Sequence, residues 1–553
     1  MINRREFVKV GALSSAGLML GCSLRPVFDI LIKNGTLADG TKTELYQADI
    51  GISGSKIITI GDLKHASATH VIDATGLIVA PGFIDIHTHT DVELLVNPLA
   101  ESKIHQGVTT EIGGNCGSSY FPLNDADFAE GDRLMNERYG RTLTWHTTNE
   151  FLDTLAQSKP SINFATFVGH GQIRSFVVGR NDVAPTPDQL KQMQYQLEHA
   201  LEQGCVGMST GLEYAPGSYA KTDELIALCE VVARHNKVYA THMRNEDDTV
   251  EEAIEEALRI SRESGVALQI SHLKACNRAN WHKTERFLET LAKESQAGLP
   301  VHADRYPYVA YSTGLGVFLP LWARQGNTDD IVRRLESKTD RDKMKAYTES
   351  RGNRIGGWDR VQISSCMTDA NKKWEGMSID ACSEKTRLEP FEFIRQLLIE
   401  ERTEVNIVGF AMDENNLHRI LQFPLTMIGS DGNAISPTGK LGEGKPHPRF
   451  YGTFPRILGC YCREEKLFDW PTAVKKMTSM PADKLQLNQR GHLQKDYFAD
   501  VTIFNPQTVI DNATFVDPHQ FASGIEYVIV NGTVTITDGK HTGKQAGTVI
   551  REI

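Results

Sequence analysis

Pro81-Gly82-Phe83-Ile84-Asp85-Ile86-His87-Thr88-His89 is an apolar run that closes on two histidines. Side chains at i and i+2 of a strand share a face. His87 and His89 therefore project together from the strand's end, where neutral imidazoles can share one metal ion. The same texture repeats downstream. Strand-like apolar runs recur at 109–115, 163–169, 205–210, 238–243, 267–272, 301–306 and 427–431, with helical patterns between them. Such alternation predicts βα units around a parallel sheet. Counting 82–89, there are eight. The expected class is α/β, a (β/α)8 TIM-like barrel over residues 81–485, with catalytic groups at the C-terminal ends of its strands. The helix at about 249–263 is the clearest between strands, with Val250, Ile254, Ala257, Leu258 and Ile260 on its apolar face.

On either side of the barrel, 27–80 and 486–553 share a different texture. Runs such as Asp29-Ile30-Leu31-Ile32 and Tyr527-Val528-Ile529-Val530 are short, alternating and broken by Gly and Asp. They predict one small β-sandwich domain built from both chain ends. Asn34-Gly35 and Asn531-Gly532 are tight-turn signals within it. A charged, mostly helical stretch before the last barrel strand, at about 315–370, is expected as an insertion over the barrel mouth.

Several other barrel strands also end on chemistry. Gly113-Gly114-Asn115-Cys116-Gly117 places a thiol, a soft zinc ligand, among glycines. A small buried residue is the plainer reading of Cys116 taken alone. Thr241-His242-Met243 and Ser271-His272-Leu273-Lys274 each close an apolar strand on a histidine. Gly429-Ser430-Asp431-Gly432 ends the last strand on a carboxylate. It can hold metal or move a proton between water and a leaving amine; capping a turn before Gly432 is the alternative.

His87-x-His89, His242, His272 and Asp431, in that order on strands one, five, six and eight, resemble the amidohydrolase superfamily. The N-acyl-D-amino-acid deacylase (D-aminoacylase) family is the closer match. It is carried by Gly114-Asn115-Cys116-Gly117, by 209–217 (Ser-Thr-Gly-Leu-Glu-Tyr-Ala-Pro-Gly), by Thr241-His242-Met243-Arg244, by Tyr306-Pro307-Tyr308 and by Lys445-Pro446-His447-Pro448-Arg449. The resemblance implies metal ligation by His87, His89, Cys116, His242, His272 and Asp431, with Asp431 also catalytic. It implies a grip on the substrate's α-carboxylate by Tyr214, Lys274, Tyr306 and Arg449. Arg suits that task independently, because its planar fork matches a carboxylate. Many superfamily relatives bridge two metals with a carboxylated lysine on strand four. Here that strand reads Val206-Gly207-Met208-Ser209-Thr210 and has no lysine, which favours Cys116 as the replacement. One zinc ion is expected to be held tightly; whether a second is held as well stays open.

The activity implied is hydrolysis of N-acyl-D-amino acids to a carboxylate and a free D-amino acid. Cyclic-amide hydrolysis, of the hydantoinase or dihydropyrimidinase kind, is the rival. A non-catalytic zinc- or peptide-binding lipoprotein is a further one. Arg449 and Lys274 argue against the first, since a cyclic amide offers no free α-carboxylate. Asp431 argues against the second, since binding needs no proton shuttle.

The 553 residues carry a net charge of −11, which speaks against nucleic acid as a partner. A small N-acyl amino acid is the expected one. Arg4-Arg5-Glu6-Phe7-Val8-Lys9, a short apolar run and Leu18-Met19-Leu20-Gly21-Cys22 read as a twin-arginine and lipoprotein signal over 1–22. An uncleaved apolar start with a chance cysteine is the alternative. The expectation is export to the periplasm of a Gram-negative cell, with a lipid anchor on Cys22 as the one membrane contact. Eight scattered cysteines remain after Cys22 and form no disulfide framework.

Overall fold

The computed structural model describes residues 27–552; the signal expected at 1–22 lies outside them. The barrel strands are Phe83–Asp85, Val108–Gly113, Asn163–Thr166 continued by Val168–Gly169, Gly207–Gly211, Val238–His242, Ala267–Ile270, Val301–Arg305 and Thr426–Ile428. They pair in that order, each parallel to the next. The ring closes at its mouth. Thr88 bridges Gly432 in parallel, and the Asp431 N–H donates to the His87 carbonyl at 2.8 Å. Strands covered on both faces are buried along their length, which is why they read as near-continuous apolar runs.

A buried ion cluster fastens this closure. The Lys103 ammonium lies 2.8 Å from Asp85 Oδ2 and 3.0 Å from Glu111 Oε1. It also donates to Ser430 Oγ at 2.7 Å. The remaining Asp85 oxygen accepts from the Ser430 N–H at 2.8 Å. Strands one, two and eight are thus tied through one cation, beneath the His87–His89 and Asp431 positions.

Helices cover the outside. Val250–Ser264 is typical: Glu251 and Glu252 lie in its first turn, Gly265 caps it at φ 74°, and Val250, Ile254, Ala257, Leu258 and Ile260 are buried.

Both chain ends join in one nine-stranded sheet, where Ile78–Pro81 of the first segment pairs with Val501–Phe504 of the second. Its core includes Ile30, Ile32, Ile50, Ile52, Val501, Ile503 and Ile529. Asn531-Gly532, both at positive φ, turns between Ile525–Val530 and Thr533–Thr537. Asn34-Gly35 does not turn the chain. It forms a bulge inside the strand Val27–Leu37, with Asn34 at φ 60°. Pairing with Tyr46–Ser53 on one side and Ser67–Asp73 on the other carries the strand through. The Asn34 N–H is met by Asp49 at 2.9 Å.

The insertion runs beyond the expected 315–370. It includes a three-stranded antiparallel sheet of Tyr311–Gly314, Val361–Cys366 and Val405–Gly409 beside the helices Thr328–Glu336, Arg341–Ile355, Ile379–Thr386 and Pro390–Glu400. Phe318, Leu335, Met344, Ile363, Phe391 and Ile407 give it a core of its own. Arg351 pins it to the barrel mouth, 3.3 Å from Asp247 and 3.4 Å from Glu213.

Candidate active site at the barrel mouth

All ten residues singled out in the sequence line one cavity except His87, which lies fully buried just beneath it. The cavity has a volume of about 710 Å³ and opens between the barrel mouth and the insertion.

His87, Cys116, His272 and Asp431 bring one ligand atom each to within 4.8 Å of one another. Cys116 Sγ lies 3.4 Å from His87 Nε2 and 3.5 Å from His272 Nε2. Asp431 Oδ1 is 3.6 Å from His87 Nε2 and 3.0 Å from His89 Nε2. His242, Glu246 and His272 form a second such group, sharing His272 with the first. Imidazole, thiolate and carboxylate donors at these separations suit zinc. The buried His242 Nδ1 has no hydrogen-bond partner among the described residues. Burial alone would push the Cys116 thiol up, but the His87 and His272 imidazoles overcome it and hold it well below its ordinary range. A thiol so placed is a ready thiolate ligand.

The local backbone explains how these side chains reach the centre. Cys116, His272 and Asp431 all have positive φ, at 52°, 38° and 51°. Such conformations cost non-glycine residues about 1–3 kcal/mol each and persist where the surroundings enforce them. Around Cys116 the enforcement comes from glycines. A Cβ at Gly117 would meet Gly211 N at 2.5 Å, and one at Gly211 would meet the Cys116 carbonyl at 2.1 Å. Only bare backbone lets strand ends two and four approach so closely.

Behind the donors stands a carboxylate layer that the sequence reading missed. Asp304, on strand seven, accepts from the His272 N–H at 2.8 Å and lies 3.1 Å from His87 Nδ1. Glu246 Oε1 lies 2.9 Å from His272 Nδ1 and 2.6 Å from Lys274 Nζ. Glu213 Oε2 is 3.3 Å from His242 Nε2. Outer partners of this kind orient imidazole ligands. One local signal was available for Glu246: it opens the acidic run Glu246-Asp247-Asp248 four residues after His242.

Of the four expected carboxylate-binding residues, Arg449 and Tyr306 pack together beside Asp431, whereas Tyr214 and Lys274 lie apart from them against His242 and Glu246. Arg449 Nη1 lies 2.9 Å from Asp431 Oδ2, and its guanidinium packs 4.7 Å from the centre of the Tyr306 ring. Burial would push the Asp431 carboxyl up, but Arg449 and the neighbouring imidazoles hold it well below the carboxylate range. The Tyr306 hydroxyl and Arg449 Nε are buried with no hydrogen-bond acceptor among the described residues. Tyr214 lies above His242, its hydroxyl 3.1 Å from Thr313 Oγ1 of the insertion. Lys274 stands behind His272, its ammonium committed to Glu246.

Comparison with known proteins gives one answer. A model of the amidohydrolase family matches residues 70–303 and 425–536, leaving out the insertion. A D-aminoacylase of Alcaligenes xylosoxydans xylosoxydans is 36% identical over 523 residues, 95% of this chain and 97% of that one. The structure of an N-acyl-D-glutamate deacylase from Bordetella bronchiseptica, complexed with zinc and a phosphonate mimic of the tetrahedral intermediate, superposes with a TM-score of 0.81. It is 33% identical, covering 95% of this chain and all of that one. A D-aminoacylase structure with a binuclear metal centre gives 0.80 at 35% identity and the same coverage. The chain belongs to the amidohydrolase family, in its N-acyl-D-amino-acid deacylase branch.

Proposed function

We propose that this protein is a zinc-dependent hydrolase that cleaves the amide bond of N-acyl-D-amino acids, releasing a carboxylate and the free D-amino acid. The relatives above carry that activity in their names. The observation within the chain that favours it is the set of buried donors beside Asp431. Leaving buried donors unmet costs about 1–3 kcal/mol each. Tyr306 Oη and Arg449 Nε are such donors, and the guanidinium packs 4.7 Å from the centre of the Tyr306 ring. A substrate α-carboxylate satisfies them; a cyclic amide has none to offer.

His87, His89, Cys116, His242, His272 and Asp431 are the residues that would hold zinc, with His272 common to the two groups of donors. Zinc bound there lowers the pKa of water and polarises a carbonyl. Asp431, ionised at neutral pH because Arg449 and the imidazoles hold it so, accepts the proton of the attacking water. It then returns that proton to the departing nitrogen. Arg449 and Tyr306 fix the α-carboxylate, with Lys274, paired with Glu246, supporting His272 from behind and Tyr214 closing the His242 side. The insertion over the mouth limits water around the reacting carbonyl.

The N-terminal motifs Arg4-Arg5 and Leu18-Met19-Leu20-Gly21-Cys22 support export by the twin-arginine route and a lipid anchor at Cys22. No helix among the described residues is long and apolar enough to cross a membrane.

Incubating zinc-loaded protein with N-acetyl-D-leucine, N-acetyl-L-leucine and the D-leucine amide derivative tests the activity. Hydrolysis of the first, lost on chelation and weak on the other two, is expected. Absence of hydrolysis of the first by metal-loaded protein removes the reading.

A further inference from the structure

Tyr306 and Arg449 come from separate stretches of chain. Tyr306 follows strand seven, on a segment that runs through Tyr308 and Ala310 into the insertion strand Tyr311–Gly314. Arg449 opens the helix Arg449–Arg456, after strand eight. One side chain joins the two. His447 Nε2 lies 3.0 Å from the Ala310 carbonyl, and its Nδ1 accepts the Arg449 main-chain N–H at 3.0 Å. A carbonyl only accepts and an N–H only donates, so a single form of the ring makes both bonds, the neutral one protonated on Nε2. His447 is fully buried. Burial and the Arg449 charge hold its imidazole well below the usual histidine range, in that neutral form.

Three aromatic rings stand edge-on to the imidazole, with centres 6.1 Å away at Tyr306, 5.1 Å at Tyr308 and 4.9 Å at Phe515. Phe515 comes from the far end of the chain. Residues 505–524 leave the β-domain after Val501–Phe504 and return to it at Ile525–Val530. On the way they form a strap across both stretches that His447 joins. Asp511 Oδ2 accepts from the Tyr308 hydroxyl at 3.1 Å and lies 3.4 Å from Arg456 Nη1, at the end of the Arg449 helix. His519 Nδ1 is 3.0 Å from the Tyr451 hydroxyl in that helix, and its Nε2 is 3.2 Å from the Gly444 carbonyl, on the approach to His447. A Cβ on Gly452 would meet Asp511 Cβ and Tyr308 Oη at 2.6 Å each, so strap and helix meet where the helix is bare.

Resting on the deacylase reading, we propose that His447 is the positioning residue of the α-carboxylate site: it sets Arg449 against Tyr306, and the C-terminal strap 505–524 holds it there. Neither His447 nor Phe515 lines the cavity, so their influence reaches the substrate through Arg449 and Tyr306. The loss expected on their removal is therefore one of substrate binding, with the zinc donors and Asp431 left in place. The test measures KM, kcat and zinc content of zinc-loaded full-length protein on N-acetyl-D-leucine. His447→Leu keeps bulk and removes both bonds; KM is expected to rise about tenfold, the size of one or two modest hydrogen bonds, with kcat within about threefold and zinc unchanged. His447→Asn keeps an acceptor where Nδ1 stands and is expected to recover part of that rise. Phe515→Ala removes a half-buried ring from the strap and is expected to move KM in the same direction. A KM rise of threefold or more in His447→Leu, larger than any fall in kcat and lessened in His447→Asn, supports the proposal. A smaller rise, one matched by the fall in kcat, or one that His447→Asn does not lessen overturns it and leaves the deacylase activity standing. If His447→Leu does not fold, Phe515→Ala is read against the same threefold rise and the same comparison with kcat. No turnover by the wild type removes the deacylase reading and the proposal with it.

Discussion

Glu246→Gln separates the carboxylate layer from the ligands it supports. Glu246 is buried, with one oxygen 2.6 Å from the Lys274 ammonium and 2.9 Å from His272 Nδ1. The amide keeps the shape and removes the charge. Lys274, only 2% exposed, then becomes a buried cation without a counter-charge, which costs about 3–5 kcal/mol. For a chain of this length, at roughly 2 cal/mol/K of unfolding entropy per residue, that lowers the midpoint of thermal unfolding by about 3–5 °C. His272 also loses the charged partner of its outer nitrogen, so zinc affinity is expected to fall about 10–100-fold. The effect carries a pH signature. In the native protein burial pushes the Lys274 pKa down, but Glu246 overcomes it and holds it above the usual lysine value. The stability this contributes is fully present below the unfolded pKa, near 10.5, and is lost as pH rises through the folded value. In the variant burial is unopposed and the folded pKa drops below the unfolded one. Its stability is then greatest above about pH 10.5 and declines as pH falls toward the lowered folded value. The gap between wild type and variant is therefore wider at pH 6 than at pH 9.5. Calorimetry of both metal-stripped proteins at the two pH values, with zinc titration against a competing chelator, reads both effects. A variant with wild-type zinc affinity and a pH-independent gap in unfolding midpoint would refute this account of Glu246.

Asp431→Asn is expected to retain zinc, by metal analysis of the purified protein, while kcat falls about 10²–10⁴-fold for loss of the proton carrier; turnover within a few-fold of wild type would remove Asp431 from that role. Arg449→Met is expected to lower kcat/KM on free α-carboxylate substrates by the equivalent of about 2–5 kcal/mol. Amidated substrates should lose less, since for them only the pairing of Arg449 with Asp431 is removed, whereas equal losses on both would take Arg449 out of carboxylate recognition. Lys103→Met strands Asp85 and Glu111 in the barrel wall and is expected to destabilise by about 3–5 kcal/mol near neutral pH. The loss should shrink in acid, where the stranded carboxylates can be neutralised; an equal loss at pH 5 and pH 8 would show that packing, not charge, sets it.

The barrel was legible because strands buried on both faces cannot alternate, and their apolar runs stand out against the amphipathic helices between them. The candidate donors were legible because five of the eight runs close on a histidine, cysteine or aspartate. The strand boundaries were less so. His87, Cys116, His272 and Asp431 lie two or three residues past the last hydrogen-bonded strand residue. At the last three the chain turns through positive φ, which no local pattern announces for a Cys, His or Asp. Asn34-Gly35 shows the converse: a strong local turn signal was overridden by strands pairing on both sides. The carboxylates behind the ligands were mostly illegible, since each acts across the barrel. Asp304 meets His87 from 217 residues away in the chain. Yet those distant contacts make the strained ligands usable. Asp304 receives the backbone N–H of His272 while facing the outer nitrogen of His87, so one side chain on strand seven sets the aim of ligands from strands six and one. A barrel brings strand ends together whatever their residues; Asp304, Glu246 and Glu213 decide that these imidazoles point their inner nitrogens at one place.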